Sequence, residues 1–284
     1  MFYEQNICKI CKSNENETIY KLPFKNHKFK DFFNDFYGKE NSEEIFNLTK
    51  NYDYEILNCK KCKFKWQKFI PDNIFLNKLY NNWISFEKSL QKKNSINEDI
   101  FFSSLLNILK KDQINTLDYG AGVGNFCNFS KKRGFNSFAI EYSTERIEYL
   151  KSKKINVINF SEIDNYNIKF DLIYINQVLE HLENFNEFFI NLNSLSKKNS
   201  IIYISVPNAE KIKNPVKKGP FQPLEHLNTF NNSNLKELMK KNNYTPISTN
   251  RILRSMISNK NTINFFFKRI FNQMFTTNIL FEKN

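Results

Sequence analysis

Residues 117–126 read Leu117-Asp118-Tyr119-Gly120-Ala121-Gly122-Val123-Gly124-Asn125-Phe126, and these types suit the binding of a nucleotide cofactor. Apolar residues ahead of the stretch end a strand pattern, and a helical pattern opens at Asn125. Gly120, Gly122 and Gly124 permit a tight turn whose backbone approaches a ligand closely. Glu141 closes the next strand pattern, where a carboxylate could accept both hydroxyls of a ribose. Two details speak against a dinucleotide. Its fingerprint requires a third glycine three residues after the second, and that position is Asn125. Asp118, two residues ahead of the first glycine, would repel a pyrophosphate and attract an ammonium group.

Two other sets of residues carry chemistry. Cys8-Lys-Ile-Cys11 and Cys59-Lys-Lys-Cys62 each put two thiols on a tight knuckle, and two knuckles supply the tetrahedral four-sulfur set that structural zinc prefers. A catalytic zinc would need an open position, which four thiolates do not leave. Segment 12–58 is longer than a compact zinc ribbon requires, so it must contain a looped-out insertion. The second set is histidine-based. His226 stands in Gln222-Pro-Leu-Glu225-His226-Leu-Asn-Thr-Phe230, after Val206-Pro-Asn208, in a loop suited to covering a substrate. A Glu225–His226 pair there could remove a proton from a hydroxyl or an acidified carbon. His181 lies in Phe170-Asp-Leu-Ile-Tyr-Ile-Asn176-Gln-Val-Leu-Glu-His181-Leu182 and reads either as a cap on the next helix or as a positioning group. Ligands in open α/β sheets sit beyond the carboxyl ends of strands, so Asn176 should edge the cofactor. Phe160 reads as an adenine platform or as core.

The glycine stretch resembles motif I of class I S-adenosylmethionine-dependent methyltransferases, in which the acidic residue helps orient the methionine moiety. The run from Phe170 to Leu182 looks like the Phe-Asp-x-Ile…Val-Leu-Glu-His-Leu pattern of small-molecule methyltransferases, among them quinone-pathway O-methyltransferases and sugar methyltransferases. Enzymes that methylate exocyclic amines of nucleobases carry Asn/Asp-Pro-Pro-aromatic at this point, and this chain does not. The fourth strand also offers no nucleophilic cysteine for base C5-methylation. Both absences argue against a nucleic-acid substrate. Together with the paired cysteines, Val206-Pro-Asn208 and Glu225-His226-Leu-Asn-x-Phe230, residues 5–245 resemble zinc-containing class I methyltransferases of sugar and surface-polysaccharide pathways. The resemblance implies S-adenosylmethionine as cofactor, a structural Zn2+, and a small-molecule acceptor that is a nucleotide-linked sugar or a glycan. It also implies that Tyr80 matches an aromatic covering the active site, and that His226 matches the base of deoxysugar C-methyltransferases. Those enzymes carry a large C-terminal domain for which residues 251–284 are not expected to provide a counterpart, which speaks against C-methylation of a deoxysugar. Two rival readings stay open: a methyltransferase for RNA or a quinone-like acceptor, and a non-enzymatic zinc- and cofactor-binding interaction module.

Composition is compatible with these readings. The 284 residues hold 42 Lys and Arg against 29 Asp and Glu, a net charge of +13 that favours acidic partners, although the basic residues are spread along the whole chain. Thirty Phe and abundant Lys, Asn and Ile resemble the codon bias of an AT-rich genome. No secretory signal and no membrane-spanning run is expected, and five cysteines, four of them in knuckles, suit a reducing, cytoplasmic setting.

The elements that must position these residues follow from periodicity. Residues 1–75 are expected as a zinc-binding domain and 76–112 as a helical linker and active-site cover. Residues 113–250 are expected as the methyltransferase core, and 251–284 as a basic, aromatic tail. In the core, strands are expected at Phe138–Glu141, Ile155–Phe160, Phe170–Asn176, Ile201–Val206 and Thr245–Thr249, alternating with helices. That alternation implies an α/β fold, a Rossmann-like, mostly parallel sheet with helices on both faces. In the tail, Phe267, Ile270, Phe271 and Met274 would share a helical face, packed on the domain or lying on a membrane surface. The oligomeric state is left open.

Overall fold

Aromatic residues at helical spacing between the two cysteine pairs fold as an insertion into a small antiparallel sheet. The computed structural model describes residues 2–91, 96–109, 114–208, 210, 216, 220–248, 251 and 276–284. The chain divides into two units, the first comprising Met1–Ser85, Leu179–Glu183 and Pro207–Leu235, the second the remainder. The first unit begins β1 (Phe2–Glu4), β2 (Asn16–Pro23), α1 (His27–Tyr37), α2 (Lys39–Thr49) and β3 (Asp53–Cys59). It continues with β4 (Lys65–Gln67), β5 (Phe69–Pro71), α3 (Asn73–Lys78) and a π-turn at Leu79–Trp83. Helices α1 and α2 are the looped-out insertion between β2 and β3, which pair with each other.

Helix α1 forms because Phe29, Phe32, Phe33 and Tyr37 fall on one face, and all four are buried. The Asn26 side chain caps it by accepting from the Lys28 N–H at 3.1 Å. Gly38, at φ 89°, ends α1 and opens α2 in a left-handed conformation that other residues adopt only with strain. The buried face joins Phe24, Ile45, Tyr54, Ile56, Phe75 and Trp83 in one core. The abundant phenylalanine therefore has a packing use: the Phe24 and Phe29 rings lie 4.7 Å apart between centroids.

The second unit opens with α4 (Phe86–Leu90) and α5 (Ile96–Asn107), followed by β6 (Asn115–Tyr119), α6 (Asn125–Lys132), β7 (Asn136–Ile140) and α7 (Thr144–Ser152). Then come β8 (Asn156–Val157), β9 (Phe170–Asn176), α8 (Phe185–Leu195) and β10 (Ser196–Pro207). After β11 (Asn228–Thr229), which belongs to the first unit, the chain forms α9 (Asn232–Lys241), β12 (Tyr244–Pro246) and β13 (Thr276–Lys283). The seven-stranded sheet has the order β12-β13-β10-β9-β6-β7-β8. Pairs β10–β9, β9–β6, β6–β7 and β7–β8 are parallel, and β12–β13 is antiparallel. Strand β9 is buried at every position from Phe170 to Ile175, as a strand covered on both faces requires. Phe126, Tyr174 and Tyr203 stack across one face, with centroids 4.6 and 5.0 Å apart.

The mixed α/β fold with a mostly parallel sheet agrees with the sequence expectation. The third core strand is shorter than expected. Only Asn156–Val157 pairs with β7, and Phe160–Asn165 is a 3-10 turn. Within the expected tail, Thr276–Lys283 is a buried strand, β13. The helical face at Phe267–Met274 lies outside the described residues. No described helix is long and apolar enough to cross a membrane.

Candidate active site

Strand β6 delivers Asp118 and runs into the glycine turn, and each glycine in that turn has its own reason. All three adopt positive φ, at 81°, 56° and 73° for Gly120, Gly122 and Gly124. A Cβ on Gly120 would lie 2.5 Å from a Val178 methyl, and one on Gly124 would lie 2.5 Å from a Leu150 methyl. Packing therefore fixes those two. Gly122 has nothing within 4 Å on that side, so it presents open backbone at the start of α6. The turn is held by Gly120 and Ala121 N–H groups donating to the Ile140 carbonyl at 2.8 and 3.0 Å.

Two carboxylates flank the turn. Asp118 is buried, and burial, followed by the charge of Glu141, pushes it up to about 7. The Cys127 thiol points at Asp118 Oδ2 from 3.8 Å and at the Phe138 carbonyl from 3.2 Å, so this fifth cysteine is a small buried donor. Glu141 accepts from the Gly122 N–H at 2.7 Å, the Tyr142 N–H at 2.8 Å and the Ser143 N–H at 3.1 Å. A carboxylate has about four acceptor positions, so the one expected to meet a ribose also organises the turn. Asn176 ends β9 and is half-buried. The next residue, Gln177, has φ 58° and donates its N–H to the Ser205 carbonyl at 2.8 Å. Phe160 is 40 % exposed and Tyr142 50 % exposed, which removes the core reading of Phe160 and adds Tyr142, a residue the sequence argument passed over.

The four cysteines of the first unit come together. Their sulfur atoms all lie within 4.8 Å of one another, with Cys8–Cys62 at 3.5 Å and Cys11–Cys59 at 3.4 Å, and none forms a disulfide. Zinc–sulfur bonds of about 2.3 Å in a tetrahedron put sulfurs about 3.8 Å apart, so the set fits that ion. The two knuckles repeat one hydrogen-bond pattern. Lys12 N–H donates to the Cys8 carbonyl and Lys63 N–H to the Cys59 carbonyl, both at 3.0 Å. Lys12 and Lys63 have φ 61° and 59°. A hydrogen bond from Cys62 pulls the Cys8 thiol down to about 5, while the Cys8 sulfur holds Cys62 well above the usual thiol range. Four thiols this close cannot all ionise without a cation among them.

The second knuckle is also the turn between β3 and β4, and β4 holds the histidine loop. Gln67 donates its side-chain amide to the His226 carbonyl at 2.9 Å, and its backbone N–H to the Leu227 carbonyl at 2.9 Å. Strand β11, just beyond the loop, pairs antiparallel with β4. The Tyr54 hydroxyl donates to the Phe221 carbonyl. Leu224, at φ 70°, bends the chain into Glu225.

In this frame His181 and the adjacent pair Glu225–His226, 44 positions further along the chain, form one cluster. His181 Nδ1 donates to the Glu225 carbonyl at 3.0 Å, and the two imidazole rings are 4.9 Å apart between centroids. His181 does not cap the next helix; Asn184 does that. Asn228 supports the 3-10 turn that carries His181, donating to the Leu182 carbonyl at 2.6 Å. Burial holds the His181 imidazole down at about 4, so it is neutral near pH 7. Tyr80 lies in the π-turn of this same unit, its ring 6.1 Å from that of His181. Two members were not singled out from sequence. Tyr37 donates its hydroxyl to Glu225 Oε1 at 2.8 Å, and Glu180 is fully buried beside His181.

Residues 95–249 match the model of a family described as a methyltransferase domain. No curated protein matches the chain. Among solved structures, the plantazolicin methyltransferase BamL, in complex with a triazolic desmethylPZN analog and SAH, aligns with TM-score 0.56 at 16% identity, covering 74% of this chain and 94% of its own. The plantazolicin methyltransferase BpumL aligns with TM-score 0.54 at 17% identity, covering 74% and 95%. The Burkholderia thailandensis 1,6-didemethyltoxoflavin-N1-methyltransferase aligns with TM-score 0.52 at 14% identity, covering 79% and 97%. These likenesses agree with the fold, and the glycine turn between two carboxylates agrees with the family. The chain belongs to the methyltransferase-domain family and is an S-adenosylmethionine-dependent methyltransferase.

Proposed function

We propose that the enzyme methylates a nucleotide-linked sugar or a glycan, that the glycine turn holds the cofactor, and that His226 takes the acceptor's proton. The observation that carries the second half is the convergence of His181, Glu225 and His226 on one frame in the first unit. The sugar acceptor is supported by the resemblance of the Val-Leu-Glu-His-Leu and Glu-His-Leu-Asn-x-Phe runs to sugar methyltransferases. The solved neighbours, one in complex with a triazolic desmethylPZN analog and one with bound 1,6-didemethyltoxoflavin, support a small-molecule acceptor more generally.

S-adenosylmethionine supplies an electrophilic methyl group on a sulfonium. The chain does the rest. Asp118 and the open Gly122 backbone suit the charged methionine end, Glu141 and Asn176 the ribose edge, and Tyr142 and Phe160 the adenine. Near pH 7 a neutral imidazole is a competent base, and Glu225, fixed by Tyr37, orients the His226 loop. His181 positions the loop through the Glu225 carbonyl, and Tyr80 covers the cluster. Structural Zn2+ on Cys8, Cys11, Cys59 and Cys62 would secure the β3–β4 turn, and through β4 the His226 loop.

Incubating the protein and S-adenosylmethionine with a panel of nucleotide sugars, glycans, quinone-like phenols and RNA tests the acceptor by mass shift. A gain of one methyl group on a sugar is expected. Methylation of only the phenols or RNA would replace this reading.

A further inference from the structure

The first unit buries a carboxylate that no hydrogen bond explains. Glu180 is 0 % exposed, and neither of its oxygens has a hydrogen-bond partner among the described residues. Burying a lone ionised carboxylate is costly, so the groups facing it matter. Two of them are the imidazoles of His181 and His226. One donor atom from each of Glu180, His181 and His226 lies within 4.8 Å of the other two. Glu180 Oε1 is 4.0 Å from His181 Nε2, and the two rings meet nearly edge to face, at 76°.

The tautomer fits as well. His181 commits Nδ1 to the Glu225 carbonyl, which leaves Nε2 with its lone pair toward Glu180. A carbonyl fixing one imidazole nitrogen while the other faces inward is how proteins orient metal-ligating histidines. Two imidazoles and a carboxylate form a mixed nitrogen and oxygen set that leaves coordination positions open, unlike the closed four-sulfur set.

We propose that Glu180, His181 and His226 bind a divalent first-row transition cation, with the open positions available to a hydroxyl oxygen of the acceptor. This rests on the reading of the cluster as the machinery that activates the acceptor, and it changes one role within it. While the cation is bound, the His226 lone pair is given to the metal and cannot accept a proton. The cation then favours the ionised form of a coordinated hydroxyl, whose proton leaves to water.

Co2+ added to the zinc-loaded full-length protein is the probe, because its visible absorption distinguishes ligand types. One Co2+ per chain is expected to bind beyond the zinc, with weak visible bands and no thiolate charge-transfer band. Glu180→Gln, nearly the same shape without the charge, should weaken it at least tenfold, and His226→Asn should do the same, with unchanged circular dichroism. Failure of the wild type to take up the extra Co2+, or binding that is equally tight in both variants, would overturn the proposal. Binding needs no turnover, so a wrong acceptor leaves this test intact. Turnover insensitive to chelators of the added cation but lost in His226→Asn would instead uphold the imidazole as base and defeat the cation.

Discussion

The glycine turn of the second unit and the histidine cluster of the first are built by opposite means. The turn is contiguous: Asp118 to Gly124 follow one strand, and backbone amides and packed methyls fix them. The cluster draws Tyr37, Tyr80, Glu180, His181, Glu225 and His226 from four separate stretches, and side chains on β3, β4 and α1 hold it. The first kind of site is encoded in a single stretch of chain. The second exists only once the chain has folded, and it depends on a frame that the paired cysteines close.

Removing the zinc proposed for the four cysteines separates the two regions most strongly. Structural zinc is worth on the order of 10 kcal/mol in small zinc-dependent folds. Chelation, or Cys59→Ser, should therefore melt the aromatic near-ultraviolet signal of the first unit and abolish turnover. Affinity for S-adenosylhomocysteine, read by calorimetry, should stay nearly unchanged. Loss of cofactor affinity in step with the zinc would show that the two sites are not independent in this way.

His226→Asn comes next. Without added cation, where its lone pair is free to accept a proton, loss of this base should lower kcat by about 10²–10⁴-fold with cofactor affinity preserved. Near-normal turnover across a range of pH would leave the loop a shaping role only. Tyr37→Phe removes one hydrogen bond to a buried carboxylate, worth about 1.5–3 kcal/mol. It should lower kcat more than KM if Glu225 orients the loop; a change in denaturation midpoint alone would make Tyr37 merely structural.

On the other side of the comparison, protonation of Asp118 gives a pH signature. Its folded pKa, about 7, lies above the ordinary carboxylate value. The stability it contributes without ligand is thus fully present below the unfolded pKa, about 3.9, and is lost as pH rises through about 7. A ligand ammonium prefers the ionised form, so cofactor affinity should rise roughly eightfold between pH 6 and 7.5, with proton release on binding. Asp118→Asn should flatten the profile. A flat profile in the wild type would separate Asp118 from the ligand.

The smallest contrast lies among the glycines. Gly124→Ala meets both a left-handed backbone and the Leu150 methyl, whereas Gly122→Ala meets the backbone cost alone, about 1–2 kcal/mol. Denaturant titration should rank Gly124→Ala as the more destabilising. The reverse order would mean that Leu150 moves aside freely.

What the sequence disclosed follows the same division. Strands β6, β7, β9 and β10 were legible because buried apolar runs between helical patterns have few other uses, and the glycine turn was legible because its residues are neighbours. Strand β8 was overestimated, because the apolar run from Ile155 to Phe160 includes Phe160, which faces solvent. Strand β13 was missed because Thr276–Lys283 follows a basic, aromatic stretch whose pattern dominates the tail. The Glu-His pairs were visible as motifs, but nothing in their spacing showed that Glu180 faces two histidines or that Tyr37, deep in the insertion, reaches Glu225. Those contacts are set by the pairing of β4 with β11, a long-range register that local pattern does not carry.

The central claim, that the turn between Asp118 and Glu141 is the cofactor site of a methyltransferase, is tested most directly by calorimetry with S-adenosylhomocysteine and NAD. The wild type should bind one equivalent of S-adenosylhomocysteine and no NAD. Glu141→Ala should weaken the former by about 1–3 kcal/mol, the range for hydrogen bonds made by a charged group. Absence of S-adenosylhomocysteine binding, or a preference for NAD, would contradict the account.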